Sequence, residues 1–179
     1  AAERTPQKVE EADRRDRADL RDVPFMTIDP ETARDFDDAV ALQILPGGIH
    51  RLWVAVADVS HYVAEGSVLD REARQRGCSL YLPDRAIPML PEALSAHMCS
   101  LVPEEDRLAM VVRIDYDQNL GVRETDFCAA VIHSRARLDY AGVAAALAGK
   151  TTGKYKKYEP HLSTLRSLDA LARRLRERR

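Results

Sequence analysis

The stretch Asp29-Pro-Glu-Thr-Ala-Arg-Asp35-Phe-Asp37-Asp38 sets four aspartates into a turn between two apolar runs, and it constrains this chain more than any other feature. Two ionised carboxylates about 4 Å apart repel by roughly 4 kcal/mol at the effective dielectric near a protein surface. A backbone that crowds four of them must leave them splayed in water or offset their charge with a divalent cation. An EF-hand loop beginning at Asp29 would require Gly at its sixth position and Glu at its twelfth, where this chain has Arg34 and Val40. Zinc is disfavoured too, because His50, His61, His97, His133 and His161 are scattered and form no His-x-His or His-x-x-x-His pair beside the carboxylates. Hard oxygen donors alone suit magnesium or manganese. Magnesium takes a few carboxylates and completes its shell with water and substrate phosphate oxygens, which fits a phosphodiester-cleaving site. Taken alone, the residues leave a second reading open, an Asp-rich turn that only caps and solvates a loop.

Composition narrows the partner. The 27 Lys and Arg nearly cancel the 29 Asp and Glu, so any polyanion site must be local and not a property of the whole surface. At 179 residues the chain buries one sizeable core. No apolar run approaches a membrane span and the start, Ala1-Ala-Glu-Arg-Thr-Pro6, has no signal-peptide core, so a cytoplasmic location with no membrane partner is expected. Cys78, Cys99 and Cys128 form no Cys-x-x-Cys pair, and buried free thiols are expected. The chain begins without Met and ends inside a helical pattern, Leu171 to Arg179, with no capping residue, which reads as a piece of a longer protein.

The patterning predicts an α+β fold of antiparallel hairpins in a mixed sheet flanked by helices. Residues 1–22 are charge-dense with few apolar anchors and read as a charged linker or short exposed helix; residues 23–179 read as the domain. A strand is expected over Phe25–Ile28, then a hairpin from Asp38–Leu45 through Pro46-Gly-Gly48 to Ile49–Ala57. Ser67-Val-Leu-Asp70 is a capping-box-like start and Gly77 a stop, giving a short helix. The prolines of Tyr81-Leu-Pro83 and Pro88-Met-Leu-Pro91 predict a packed, irregular loop. A second hairpin is expected from Leu108–Tyr116 through Asp117–Gly121 to Glu124–Arg137, with Asp139 capping a helix to Leu147. A polar loop at 151–158 precedes a last helix opened by Pro160, its stripe Leu162, Leu165, Leu168, Ala172 and Leu175.

Several ordered motifs accompany the aspartates: Thr27 to Val40 around the quartet, Val54-Ala-Val-Ala-Asp-Val-Ser-His-Tyr-Val63, Gly66-Ser-Val-Leu-Asp70, Tyr81-Leu-Pro83, Ile87-Pro-Met-Leu-Pro91 and Cys99-Ser-Leu101. Together they strongly resemble the catalytic (RNB) domain of the ribonuclease II/ribonuclease R family, over its N-terminal half. The resemblance implies a magnesium-dependent, processive, hydrolytic 3′→5′ exoribonuclease that releases 5′-mononucleotides from single-stranded RNA, with no small-molecule cofactor. It implies that Asp29, Asp35, Asp37 and Asp38 are the four active-site aspartates and metal site: Asp29 and Asp38 as direct ligands, Asp35 directly or through water, Asp37 closest to the chemistry. Tyr81 matches an aromatic that stacks on a base near the RNA 3′ end, a sequence-tolerant contact. Tyr140 matches a tyrosine that contacts the terminal nucleotides and favours ribose, whose 2′-hydroxyl a phenol can bind.

The resemblance also implies a second half, with an arginine for the phosphate and flanking OB-fold modules, that this chain does not contain, so little activity is expected of it alone. The alternative is a non-catalytic RNA-binding relative of the same fold, in which the acidic quartet tends to be lost. Other residues read more plainly: Arg34 as phosphate contact or charge offset, His61 as structural, Lys154 to Tyr158 as a solvated loop, and the terminal arginines as a polar helix face.

Overall fold

The computed structural model describes residues 8–178. Its elements follow in the order β1 (Ala18–Leu20), β2 (Met26–Asp29), β3 (Asp38–Leu45), β4 (Ile49–Ala57), α1 (Val59–Tyr62), α2 (Val68–Arg76), β5 (Leu80–Tyr81), β6 (Ala86–Ile87), β7 (Asp106–Tyr116), β8 (Val122–His133), β9 (Ala136–Asp139), α3 (Tyr140–Leu147) and α4 (Leu162–Glu177). Seven strands form one sheet in the order β1-β8-β7-β4-β3-β2-β9, and β5 and β6 pair separately. The α+β expectation holds. The two hairpins supply the antiparallel centre, while β1 beside β8 and β2 beside β9 are parallel pairs, which makes the sheet mixed.

The first hairpin turns where Gly47 and Gly48 take φ of 79° and 71°, a left-handed backbone that side chains resist. The second turns on Asp117, whose Oδ1 accepts from the N–H groups of Asn119 and Gly121 at 2.8 and 2.9 Å. Helix α2 has the expected reciprocal cap: Asp70 N–H donates to Ser67 Oγ at 3.2 Å, and the Asp70 carboxylate accepts from Gly66 N–H at 2.8 Å.

Period-two alternation divides the core between the sheet's two faces. Ala39, Ala41, Trp53, Ala55 and Val111 pack with Phe25, Leu94, Met98 and Leu101 on one side. Small alanines in the central strands let the 94–101 segment lie close against them. On the other side Met26, Ala136 and Leu138 pack with Ala146, Tyr158 and Leu165, and Leu42 with Leu120 and Leu171. That second face is only partly covered, leaving Val56, Met110 and Phe127 exposed. No helix among the described residues is long and apolar enough to cross a membrane.

Several expectations are corrected. Within residues 1–22, those before Lys8 lie outside the described residues, but Ala18–Leu20 pairs with β8 and Val9 is buried. Ion pairs add to these few apolar anchors, with Arg17 to Asp58 at 2.6 Å and Arg14 to Asp106 at 2.9 Å. The return strand ends at His133, and the chain bends at Ser134 and Arg135 to start β9 beside β2. The proline-bearing loop contains a small regular pair, because Pro83 falls in its turn and Pro88 follows β6, where no ladder N–H is needed. Residues 153–161 form a 3-10 helix in which Tyr158 is buried, and Leu171, not Ala172, lies on the buried stripe of α4. Of the cysteines only Cys99 is buried; Cys128 is half-buried and Cys78 exposed.

The Arg17–Asp58 pair tests whether the N-terminal segment belongs to the folded unit. Burial raises the Asp58 carboxyl, but hydrogen bonds from Ser60 and Arg17 outweigh it and hold the group below its ordinary 3.8. A depressed folded value stabilises above the unfolded value and is lost as pH falls through the folded one. Arg17→Ala strands a buried carboxylate and is expected to cost about 3 kcal/mol in urea unfolding at pH 7. The difference from the unsubstituted chain should shrink as the pH is taken below the usual carboxylate range, and a pH-independent difference would argue against the pair as its cause.

Candidate active site

The quartet sits at one end of β2 and β3, joined by the loop of residues 30–37. Asp29 ends β2 because Pro30 has no N–H for a ladder, and Ala33 N–H closes a turn onto Pro30 C=O at 3.0 Å. The loop is then tied down at its apolar residue. Phe36 is buried; its N–H donates to Ser100 Oγ at 3.0 Å and its C=O accepts from Leu101 N–H at 2.8 Å. Asp37 C=O accepts from Ala57 N–H at 2.9 Å, so the peptides on both sides of the Phe36–Asp37 bond are fixed to the sheet and to the 94–101 segment.

Two arginines hold these anchors. Arg137, on β9 opposite Thr27, donates through Nη2 to Glu31 C=O at 2.6 Å and Ala33 C=O at 3.3 Å, and its guanidinium lies 5.0 Å from the Phe36 ring centroid. Arg107 is buried and donates through Nε to Ser100 C=O at 2.9 Å and His97 C=O at 3.1 Å, fixing the segment that presents Ser100. Neither was expected to hold the loop; Arg137 entered only as the end of a return strand. The local pattern does not single them out, since Arg113 shares β7 with Arg107 and Arg135 stands two residues before Arg137.

The loop carries its charge in one place. Burial pushes the Asp29 carboxyl up, Asp38 and Asp35 add to the rise, and the Arg137 charge opposes it. Asp37 keeps solvent contact on its outer edge, yet protein crowds its flank, and that crowding followed by Asp35, Asp38 and Asp29 pushes its carboxyl up. Asp35 and Asp38 therefore both act on Asp29 and on Asp37 through space. Asp29 Oδ2 and Thr27 Oγ1 are both buried without a hydrogen-bond partner. Among the described residues no three His, Cys, Asp or Glu side chains are arranged to hold a metal ion.

Both tyrosines singled out in the sequence lie beside this set. Tyr81, from the β5–β6 hairpin, donates its hydroxyl to Asp35 Oδ2 at 3.2 Å while 69% of the residue remains exposed, leaving its ring free. Tyr140 is 61% exposed and follows Asp139, the register partner of Asp29 on β9. Strands in register lie about 4.8 Å apart, so Tyr140 is one residue removed from the quartet's neighbour. Arg34 is exposed. His61 is tied to Asp13 at 3.1 Å in the N-terminal segment, as a structural histidine would be.

Comparison with known proteins follows the same residues. The RNB domain family model matches residues 17–179. Ribonuclease R of Aquifex aeolicus is 44% identical over 177 residues, covering 99% of this chain and 25% of that protein. The structure of Mycoplasma genitalium RNase R in complex with ribose methylated single-stranded RNA superposes with a TM-score of 0.82 at 34% identity, over 96% of this chain and 27% of that one. Yeast Ssd1, a pseudonuclease, shares the fold at a TM-score of 0.80 and 20% identity, over 98% of this chain and 21% of that one. The chain thus spans about a quarter of the length of the relatives it matches. With its anchored loop and its match over nearly every residue, this chain belongs to the RNB domain family.

Proposed function

We propose that the quartet is the acidic part of an exoribonuclease centre that hydrolyses single-stranded RNA processively from its 3′ end, releasing 5′-mononucleotides with magnesium or manganese as cofactor. The observation that carries the reading is the placement of four carboxylates and two exposed tyrosines at one end of the sheet. The likeness to Ribonuclease R proteins, and to an RNase R bound to single-stranded RNA, supports RNA as the substrate.

A hard divalent cation fits the donor set. Asp29 Oδ2 is buried and unpartnered, a state that costs about 1–3 kcal/mol and that a bound cation relieves. Asp29 and Asp38 would hold the ion directly and Asp35 directly or through water, with Asp37 nearest the reacting phosphate. When bound, such an ion polarises the phosphoryl oxygen and lowers the pKa of the attacking water.

The chain's own residues do the positioning. Tyr81 orients the Asp35 carboxylate through its hydroxyl and presents its ring to a base, a contact every base can make. Tyr140 offers its phenol to the terminal ribose, where the 2′-hydroxyl distinguishes RNA from DNA. The pinned Phe36 peptide keeps the carboxylates from relaxing apart, so their repulsion is set by the fold in advance of binding.

Asp37→Asn in the full-length protein is expected to lower kcat on 3′- and 5′-labelled single-stranded RNA by at least about a hundredfold, with RNA affinity little changed. Equal degradation by both forms would place the chemistry elsewhere, and RNA binding without cleavage by the unsubstituted protein would favour the non-catalytic relative. In calorimetric titration with Mn²⁺, Asp29→Asn and Asp38→Asn should each weaken binding by about tenfold or more, roughly 1.4 kcal/mol. An unchanged isotherm would remove the quartet as the metal site. Tyr81→Ala should weaken short single-stranded RNA by about 1–3 kcal/mol and Tyr81→Phe by far less, because the ring makes the contact; equal losses would assign the effect to the hydroxyl on Asp35.

A further inference from the structure

Tyr158 is a buried phenol in a segment whose pattern reads as solvated loop, and its hydroxyl goes to a charged group. That group is Asp139. Its Oδ1 accepts from Gly142 N–H at 2.7 Å and caps α3; its Oδ2 accepts from the Tyr158 hydroxyl, with Lys157 Nζ 3.4 Å away. Lys157 also lies 4.9 Å from the Tyr158 ring centroid. Helix α3 is approached just as closely on its backbone: a Cβ added at Gly142 would fall 1.8 Å from Tyr158 Oη and 2.1 Å from its Cζ. The phenol therefore occupies the space a side chain at Gly142 would need.

An N-cap alone uses one carboxylate oxygen and fixes one turn of helix. Here the second oxygen is held from a separate element, so the first turn of α3 is tied to the 3-10 helix of residues 153–161. Tyr140 is the first residue of that turn, and Asp139 is the register partner of Asp29. Fixing Asp139 thus fixes the backbone at Tyr140, one residue beyond the register partner of Asp29. Loss of the Tyr158 hydroxyl would leave α3 capped and packed through Ala146 and Val143, with Asp139 held from the 153–161 segment by Lys157 alone.

We infer that Tyr158 is a positioning residue for RNA selectivity: by holding Asp139 it sets the placement of Tyr140 against the terminal ribose. The inference rests on Tyr140 contacting that ribose, as proposed above. Tyr158→Phe keeps the ring and removes the hydroxyl. Asp139→Ser keeps a capping oxygen for Gly142 N–H but is too short to reach Tyr158, so the tie is broken from both ends by unrelated substitutions.

The test measures kcat/KM of the full-length protein on single-stranded RNA ending in a ribose or in a 2′-deoxyribose nucleotide. Tyr140→Phe should lower the ribose preference, and if it does not, the role given to Tyr140 fails and this inference with it. Given that result, Tyr158→Phe and Asp139→Ser should each lower the preference by about three- to tenfold, the range a single hydrogen bond sets. The double variant Tyr140→Phe/Tyr158→Phe should lose no more preference than Tyr140→Phe alone. Equal losses on both substrates, an unchanged preference, or additive losses in the double variant would each overturn the positioning role while leaving that of Tyr140 intact. Should Tyr158→Phe not fold, Asp139→Ser decides by the same criteria.

Discussion

One short peptide, Phe36 with its two neighbours, carries the geometry of the acidic end of the sheet. The N–H of Phe36 is held by Ser100, its C=O by Leu101, and the next C=O, of Asp37, by Ala57, while the Phe36 ring is buried beneath Arg137. Without these anchors a loop with four like charges would relax until they were far apart in water, because separation lowers the repulsion and solvent screens what remains. With them, separation requires breaking buried hydrogen bonds, each costly to leave unmade. Folding energy from elsewhere in the chain is in this way held as electrostatic potential at one site.

The support extends inward from that peptide. Ser100 is presented by a segment that Arg107 holds through two carbonyls, and Arg107 itself lies near the start of β7, an inner strand of the sheet. Arg137 reaches the loop from β9, the strand that also delivers Asp139 and Tyr140 to the same end. Two buried or half-buried arginines thus link an acidic loop to strands on which no residue of the quartet lies. At Asp29, Arg137 opposes the rise that burial causes.

How much of this could be read from the chain depended on the range of the interaction involved. The hairpin of β3 and β4, the capped helix α2 and the Asp139 cap are written in residues a few positions apart, and they appear where the local pattern puts them. Asp29, Asp35, Asp37 and Asp38 were also visible, because their spacing is local and their chemistry unusual. Non-local pairings stayed hidden. Nothing near Ala18 announces its parallel partner on β8, and nothing near Tyr158 announces Asp139. The 153–161 segment read as solvated because its lysines dominate the pattern, although one phenol among them is needed to close the second core. Arg107 and Arg137 were missed for the related reason that a buried charge is recognised by its partners, and these are carbonyls distant in sequence.

The most direct measurement is a crystal structure of the full-length protein with Mn²⁺ and a single-stranded RNA whose terminal linkage resists hydrolysis, phased to show manganese by anomalous scattering. The proposed centre requires anomalous density within coordination distance of Asp29 and Asp38, with the RNA 3′ end between Tyr81 and Tyr140 and its scissile phosphate beside Asp37. Manganese bound away from the quartet, or an RNA 3′ end seated at another edge of the sheet, would contradict it.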